Sequence, residues 1–340
     1  MEIDEKFYMN LVLEFAWSNQ LLALPNPTVA ALIVDENGRI LALDSHFKSG
    51  TPHAELQALK NAYIAMNGKQ YDDLQRLESA KDIYEFLLKN HNGIFHNKSM
   101  FVTLEPCNHF GKTPPCAEIL KELGLKHIFI STKESGEIQQ GGAKILSKSG
   151  IFVKHGILEQ RGLDLLYPFL CLRDRHSLRI FKLAMRLNGS FENGIISCEE
   201  SRIFSHHLRN LANRIIISAK TILLDNPLLD ARLVGGKAPD VCIFGKENLA
   251  KCNDKNLNIF SIKNRNITFH SDISEIDSDG FSIIEGGAES FEIFRKHIDL
   301  LLVFISPKIS QGRNFMTDFS GEILHSQKLG ADILLWIKPH

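Results

Sequence analysis

The sequence predicts an α/β protein of two domains. Three observations carry that reading. The chain is 340 residues long, more than one typical domain. Short apolar runs alternate with segments of helical spacing in both halves. A stretch over 155–177, rich in Arg, Asp and Leu and poor in strand signal, lies between them. Domains are expected at 1–150 and 178–340, with 151–177 as the connector.

Along the first half, Phe7, Tyr8, Leu11, Val12, Phe15 and Ala16 recur at the spacing of one helical face. Apolar runs over 29–34 and 40–43 are separated by Asp35-Glu36-Asn37-Gly38, and Asn-Gly is the strongest short hairpin signal. A helix is expected from 53 to about 61, a buried strand over 100–104, and a helix over 116–123 closed by Gly124. A strand over 127–131, a helix over 142–148 and a strand over 151–154 complete the half. The polar stretch 62–98 carries Tyr71, Leu74, Leu77, Phe86 and Leu87 at helical intervals, and is expected to be a helical insertion on the surface of the layer.

The second half reads as strand 179–185, helix 199–212 and strand 214–218. Strands follow at 241–244, 259–262, 281–285, 300–305 and 333–337, with a helix over 288–297. The continuous apolar run Leu301-Leu302-Val303-Phe304 suits a strand buried on both faces. His206-His207 looks like a metal pair, but the helix around it is amphipathic and predicts a solvated face.

Charge and composition narrow the function classes. Lys+Arg 39 against Asp+Glu 40 gives a net charge of -1, so the chain lacks the global field that long nucleic acids or anionic membranes select. Neither partner is expected. The start, MEIDEKFYMN, is acidic where a signal peptide is basic and then apolar. No apolar run approaches the roughly 18 residues of a membrane span. A cytoplasmic location is expected, where thiols stay reduced. Six cysteines are too sparse for a disulfide framework. Cys171, Cys198, Cys242 and Cys252 read as structural thiols, and only Cys107 and Cys116 sit in a motif-like neighbourhood.

That neighbourhood predicts a zinc site. His53, Cys107 and Cys116 offer one imidazole and two thiolates, and three protein ligands with an open fourth position is the arrangement of catalytic zinc. His109 is the one nearby candidate for a fourth ligand of a structural site. Zinc lowers the pKa of its bound water, and a carboxylate two residues from the His ligand, Glu55, is placed to shuttle protons. A His-x-Glu followed downstream by Pro-Cys is the general pattern of zinc deaminases.

The spacing of the cysteines is more specific. Eight residues, Asn108-His109-Phe110-Gly111-Lys112-Thr113-Pro114-Pro115, separate them. With Asn26-Pro27-Thr28-Val29, His46 and the run Lys48 to Glu55, this stretch closely resembles the bifunctional riboflavin-biosynthesis deaminase-reductase family, the RibD-type proteins. The resemblance implies a cytidine-deaminase-like α/β/α domain acting on a small phosphoribosylated diaminohydroxypyrimidine. It also implies zinc on His53, Cys107 and Cys116, Glu55 as proton shuttle, and Asn26, His46, Lys48, Asn108 and His109 as substrate contacts. Ala30 stands where the family usually has Gly, and the insertion over 62–98 is longer than the family leads one to expect.

In the second half the strongest unaided signal is Glu285-Gly286-Gly287 at the end of an apolar run, where bare backbone can approach a phosphate. The chain has no G-x-G-x-x-G, which disfavours a Rossmann-type domain. Lys182 to Gly189, Thr221 to Arg232 and Glu285-Gly286-Gly287 resemble the same family's reductase half, whose fold is similar to dihydrofolate reductase. That resemblance implies NADPH reduction of the ribosyl side chain to ribityl. It places Met185, Ile195, Thr221, Asp225, Gly287, Ala288, Glu289, Ser290, Phe291, Glu292 and Ile293 at the cofactor. Asn193, Arg209, Leu229, Arg232 and Glu285 fall at the substrate, two guanidinium groups being suited to a phosphate. A homodimer through this domain is a further family expectation. The family's Ser-Leu-Asp-Gly reads Arg186-Leu187-Asn188-Gly189 here, and Ile195 stands near the place of a usual Trp. An alternative function is a zinc deaminase of a nucleotide or RNA base with an inert C-terminal domain. A zinc scaffold without catalysis, which would not need Glu55, is the third.

Overall fold

A computed structural model describes residues 4–68, 72–109, 111, 114–134, 141–192, 194–277 and 279–340. The chain divides into two units, Met1–Phe169 and Leu170–His340.

The first unit is built on a five-stranded sheet of order β2-β1-β3-β4-β5. Its strands are β1 (Ala30–Val34), β2 (Ile40–Ser45), β3 (Ser99–Leu104), β4 (His127–Thr132) and β5 (Phe152–His155). β1 is antiparallel to β2 and β3, while β3, β4 and β5 run parallel. Asn37-Gly38 does make the β1–β2 turn. Asp35 accepts from Asn37 N and Arg39 N, and Gly38 has the positive φ, +79°, that the turn requires.

Alternation along the strands sorts the side chains onto two faces. Ala31, Ile33, Met100, Val102, Ile128 and Ile130 enter one core, together with α2 (Ala54–Asn67), α5 (Cys116–Leu123) and α6 (Gly142–Lys148). On the opposite face Phe101 stacks on Phe129, with ring centroids 4.5 Å apart, and Tyr8 of α1 (Glu5–Ser18) packs on Phe101. Trp17, at the end of α1, is buried.

The stretch 62–98 is not a surface appendage. It continues α2, then forms α3 (Asp72–Arg76) and α4 (Ala80–Asn90), and Leu74, Ile83, Leu87 and Phe95 are fully buried in the core of this unit. Buried Lys60 of α2 donates from Nζ to the carbonyls of Gln75 and Leu77 at 3.1 and 2.7 Å, tying the segment to the helix that follows His53. Segment 151–177 likewise does more than connect. β5 completes the first sheet, and the segment's Leu and Arg, both good helix formers, build α7 (Glu159–Arg175), which buries Leu165 and Leu166.

The second unit carries an eight-stranded sheet of order β12-β13-β11-β6-β10-β7-β8-β9. The strands are β6 (Ser177–Arg186), β7 (Arg214–Ser218), β8 (Asp240–Phe244), β9 (Ile267–His270), β10 (Gly280–Glu285), β11 (Leu300–Ser306), β12 (Gly321–Leu329) and β13 (Asp332–Pro339). From β11 to β9 the pairing is parallel; β13 is antiparallel to β11 and β12. Helices α8 (Glu199–Leu211), α9 (Ala219–Asp225) and α10 (Ala288–Phe294) pack on this sheet. Residues 300–304 are buried throughout, as the continuous apolar run predicts. The expected strand at 259–262 is a 3-10 turn, Asn258–Ser261, and the strand there is β9. Trp336 of β13 is buried against Phe204 of α8.

Among the described residues, no helix is long and apolar enough to cross a membrane.

Candidate active sites

In the first unit, sequence-distant residues meet at the ends of strands and starts of helices. His53 is the cap residue before α2, Glu55 lies in the first turn of that helix, Cys107 follows β3, and Cys116 opens α5. The ligand atoms of His53, Cys107 and Cys116 lie within 4.8 Å of one another. His53 Nδ1 is 3.6 Å from Cys107 Sγ and 3.5 Å from Cys116 Sγ. Backbone geometry holds the pair of sulfurs, since Cys116 N donates to Cys107 Sγ at 3.4 Å and Ala117 N to the Cys107 carbonyl at 3.1 Å. The hydrogen bond from Cys116 lowers the Cys107 thiol against its burial, and His53 lowers it further. One thiolate is thus favoured before any metal arrives. An imidazole and two thiols gathered at this range fit zinc.

Glu55 is buried, and that burial pushes its carboxyl above the ordinary range. His46 is buried too. Its Nδ1 sits 3.1 Å from the Pro52 carbonyl and its Nε2 3.0 Å from Asn26 Nδ2. The ring of His46 meets that of His53 edge to face at 5.4 Å. The loop bearing Asn26 is fixed by Thr28 Oγ1 donating to Gln20 Oε1 at 2.8 Å.

Asn108 and His109 are half-buried, and Lys48 is exposed on the turn closed by Thr51 N donating to its carbonyl. His109 Nδ1 is buried with no hydrogen-bond partner among the described residues. Phe110, Lys112 and Thr113 of the same motif lie outside them.

Sequence reasoning missed Glu105. Its carboxylate accepts from Glu134 N, Gly141 N and Ala143 N at 3.3, 3.2 and 3.0 Å, clamping the start of α6 beside Pro106 and Cys107. Gly142 lies so near that a Cβ there would stand 1.9 Å from the Pro106 carbonyl oxygen. An acidic residue closing an apolar strand just before Pro-Cys was the available signal.

The second unit has a cleft of about 710 Å³ at the carboxyl ends of its parallel strands, where open α/β sheets bind ligands. Register brings Glu285 of β10 beside Lys182 of β6. From α8, Arg209 forks onto Glu285, Nε to Oε1 and Nη2 to Oε2 both at 2.9 Å. Burial alone would raise the Glu285 carboxyl, but Arg209 and Lys182 outweigh it and hold the group at about 2. Arg209, Thr221, Asp225, Leu229, Glu285, Gly287, Ala288, Glu289 and Ser290 all line the cleft. Lys182, Lys220, Phe191 and Arg313 line it as well and were not foreseen.

Other expected residues lie elsewhere. Phe291 is fully buried in the core, the position on α10 facing the sheet, and Met185 packs against that core. Ile195 is 69% exposed and outside the cleft lining; its neighbours Gly194 and Ile196 line it instead. Glu292 is exposed, and Ile293 lines an adjoining cavity. Arg232 points to Asp230, pairing at 2.7 Å outside the cleft. Asn193 lies outside the described residues. His206 is buried rather than solvated. Its Nδ1 accepts from Leu233 N at 3.4 Å, and burial, then the nearby Arg209, lowers its pKa to about 4. Arg186 donates to the Glu192 carbonyl at 2.6 Å and fastens the loop beside the cleft.

Residues 1–132 match the family model described as the cytidine and deoxycytidylate deaminase zinc-binding region. The chain is 29% identical to the riboflavin biosynthesis protein RibD of Aquifex aeolicus, over 91% of this chain and 88% of that protein. It is 31% identical to RibD of Mycobacterium tuberculosis, over 73% of this chain and 67% of that one. The chain belongs to the RibD family. A solved structure from Thermotoga maritima, described as a diaminohydroxyphosphoribosylaminopyrimidine deaminase/5-amino-6-(5-phosphoribosylamino)uracil reductase, covers 98% of both chains at 24% identity and a TM-score of 0.66. The RibD-family fold therefore extends over both units.

Proposed function

We propose that the two units act in turn on one metabolite. The chain is a bifunctional deaminase and reductase of riboflavin biosynthesis. In our reading the first site deaminates 2,5-diamino-6-(5-phosphoribosylamino)pyrimidin-4(3H)-one, and the second reduces the ribosyl side chain of the product to ribityl. The observation that carries this reading is the meeting of His53, Cys107, Cys116 and buried Glu55 in a RibD-family chain.

His53, Cys107 and Cys116 would hold zinc, which supplies a water acidic enough to attack near neutral pH. Glu55 moves the protons: it accepts the two protons of the attacking water in turn and delivers one to the ring nitrogen beside the attacked carbon and one to the departing amine, so that ammonia leaves as the ring carbonyl forms. Its raised carboxyl pKa suits a group that must both take and give. Asn26, donating to His46, keeps its side-chain oxygen free to accept from the amino group of the ring.

NADPH would lie in the second cleft and supply the two reducing electrons with a hydrogen. Gly286 and Gly287 give that cleft a bare floor: a Cβ on either would strike Ser290 Oγ at 2.4 Å or the Phe191 ring at 2.7 Å. Arg209 and Lys182 orient Glu285 toward the substrate, and Thr221 and Asp225 face the cofactor.

The test follows ammonia release and NADPH oxidation separately on the purified chain given the diaminopyrimidine ribotide. We expect ammonia first, then NADPH consumption equal to it. Glu55→Gln should keep zinc and lose ammonia release by about a hundredfold or more. Ammonia without NADPH oxidation would defeat the second half of the proposal, and full deamination by Glu55→Gln would defeat the first.

A further inference from the structure

The Lys220–Glu289 ion pair stands on a ridge between two cavities of the second unit. The cleft described above and a neighbouring cavity of about 990 Å³ share Ser218, Lys220, Glu289 and Ser290 in their linings. Lys220 Nζ donates to both Glu289 oxygens, at 2.7 and 2.8 Å. Arg313 stands on the other side, its Nη1 3.9 Å from Glu289 Oε1 while its Nε donates to Glu192 at 2.5 Å. Beyond the ridge the second cavity is lined by Lys246, Glu247, Asn248, Ser271, Asp272 and Ser274, a polar surface of mixed charge rich in hydroxyls.

A ligand with two nucleoside halves can fill both cavities only by crossing this ridge with its middle. In NADPH that middle is a diphosphate. It would meet two cations, Lys220 and Arg313, each already paired with a carboxylate, and Glu289 holds Lys220 through both of its oxygens. Glu289 therefore presents to Lys220 the same kind of oxygen pair that a phosphate would.

We propose that Lys220 and Glu289 set cofactor affinity in opposite directions, Lys220 taking the diphosphate and Glu289 competing with it for Lys220. This rests on the reading of the cleft as the NADPH site. Family likeness placed Glu289 among the groups that hold the cofactor; the pairing makes it a restraint instead. Both side chains are more than half exposed, at 52% and 67%, so the restraint is mild and screened by salt.

The test is titration of the full chain with NADPH, read by cofactor fluorescence, in the absence of substrate. Glu289→Gln should tighten binding by about three- to tenfold and Lys220→Met should weaken it by a similar factor, both differences shrinking as salt is raised. In the Lys220→Met background, Glu289→Gln should gain much less, because its competitor is gone. Binding by Glu289→Gln equal to or weaker than the parent, with the parent binding normally, overturns the inference and leaves the cofactor site standing. Gly287→Val, which drives a side chain into Phe191, separates the remaining case. If it, Lys220→Met and Glu289→Gln all bind NADPH like the parent, the cofactor binds elsewhere, and both the inference and the reading beneath it fall.

Discussion

Asn26 Nδ2 lies 3.0 Å from His46 Nε2, and the direction of that hydrogen bond is fixed from the far side of the ring. The Pro52 carbonyl only accepts, so His46 Nδ1 carries the proton and Nε2 takes the Asn26 amide. The amide oxygen of Asn26 is then the end left for a ligand. Asn26→Asp removes the donor and should lower deaminase kcat/KM by about ten- to a hundredfold with zinc content unchanged. Ammonia release beside metal analysis checks it; an unimpaired variant would remove the pair from the site.

The brace behind the cysteines makes a second prediction. Glu105→Ala takes the carboxylate from the part-buried amides of Glu134, Gly141 and Ala143, at roughly 1 kcal/mol for each hydrogen bond lost. Gly142→Ala forces a methyl against the Pro106 carbonyl. Both variants should melt several degrees lower and release zinc to a chelator faster than the parent, measured by thermal denaturation and by a colorimetric zinc indicator.

Arg209 and Glu285 are nearly buried, and removing one partner leaves the other as an uncompensated charge. Glu285→Gln should cost about 3–5 kcal/mol of stability in the second unit and abolish NADPH oxidation. Ammonia release should persist, because the first site lies in the other unit. Parallel assays of the two products decide this, and equal loss of both would contradict it.

His206 predicts a pH dependence. Its folded pKa of about 4 is below the ordinary 6.5, so the folded chain resists a proton that the unfolded chain accepts. The neutral ring's contribution is therefore complete above about pH 6.5 and is lost as pH falls toward 4. His206→Gln keeps an acceptor for Leu233 N and cannot titrate. Its melting temperature should fall less steeply than the parent's between those pH values, by calorimetry across the range.

Elements whose pattern was local were readable in advance. The helix at Cys116–Leu123, the strand at Arg214–Ser218 and the Asn37-Gly38 turn each follow from residues that touch one another along the chain. The zinc-type donor set was also readable, because motif residues on either side of a strand or helix start have few directions to point. Burial set by distant partners was not. Leu74, Ile83 and Phe95 sit in a polar stretch whose fate depends on α2 and α5, and Phe291 lies in a phosphate-suggestive segment but faces the sheet. The brace by Glu105 and the ridge at Lys220 depend on residues that meet only in the folded chain. The His206 helix was read by its amphipathic period, which does not reveal the Arg232–Val234 turn that covers it.

The chain has two tryptophans, and they fall one to each unit: Trp17 at the end of α1 and Trp336 in β13, both out of water. Replacing either with Phe leaves a single indole, which excitation at the red edge addresses apart from the five tyrosines. Emission from the remaining indole then reports on one unit at a time in the intact chain, so the order in which the units lose structure can be read optically without cutting them apart.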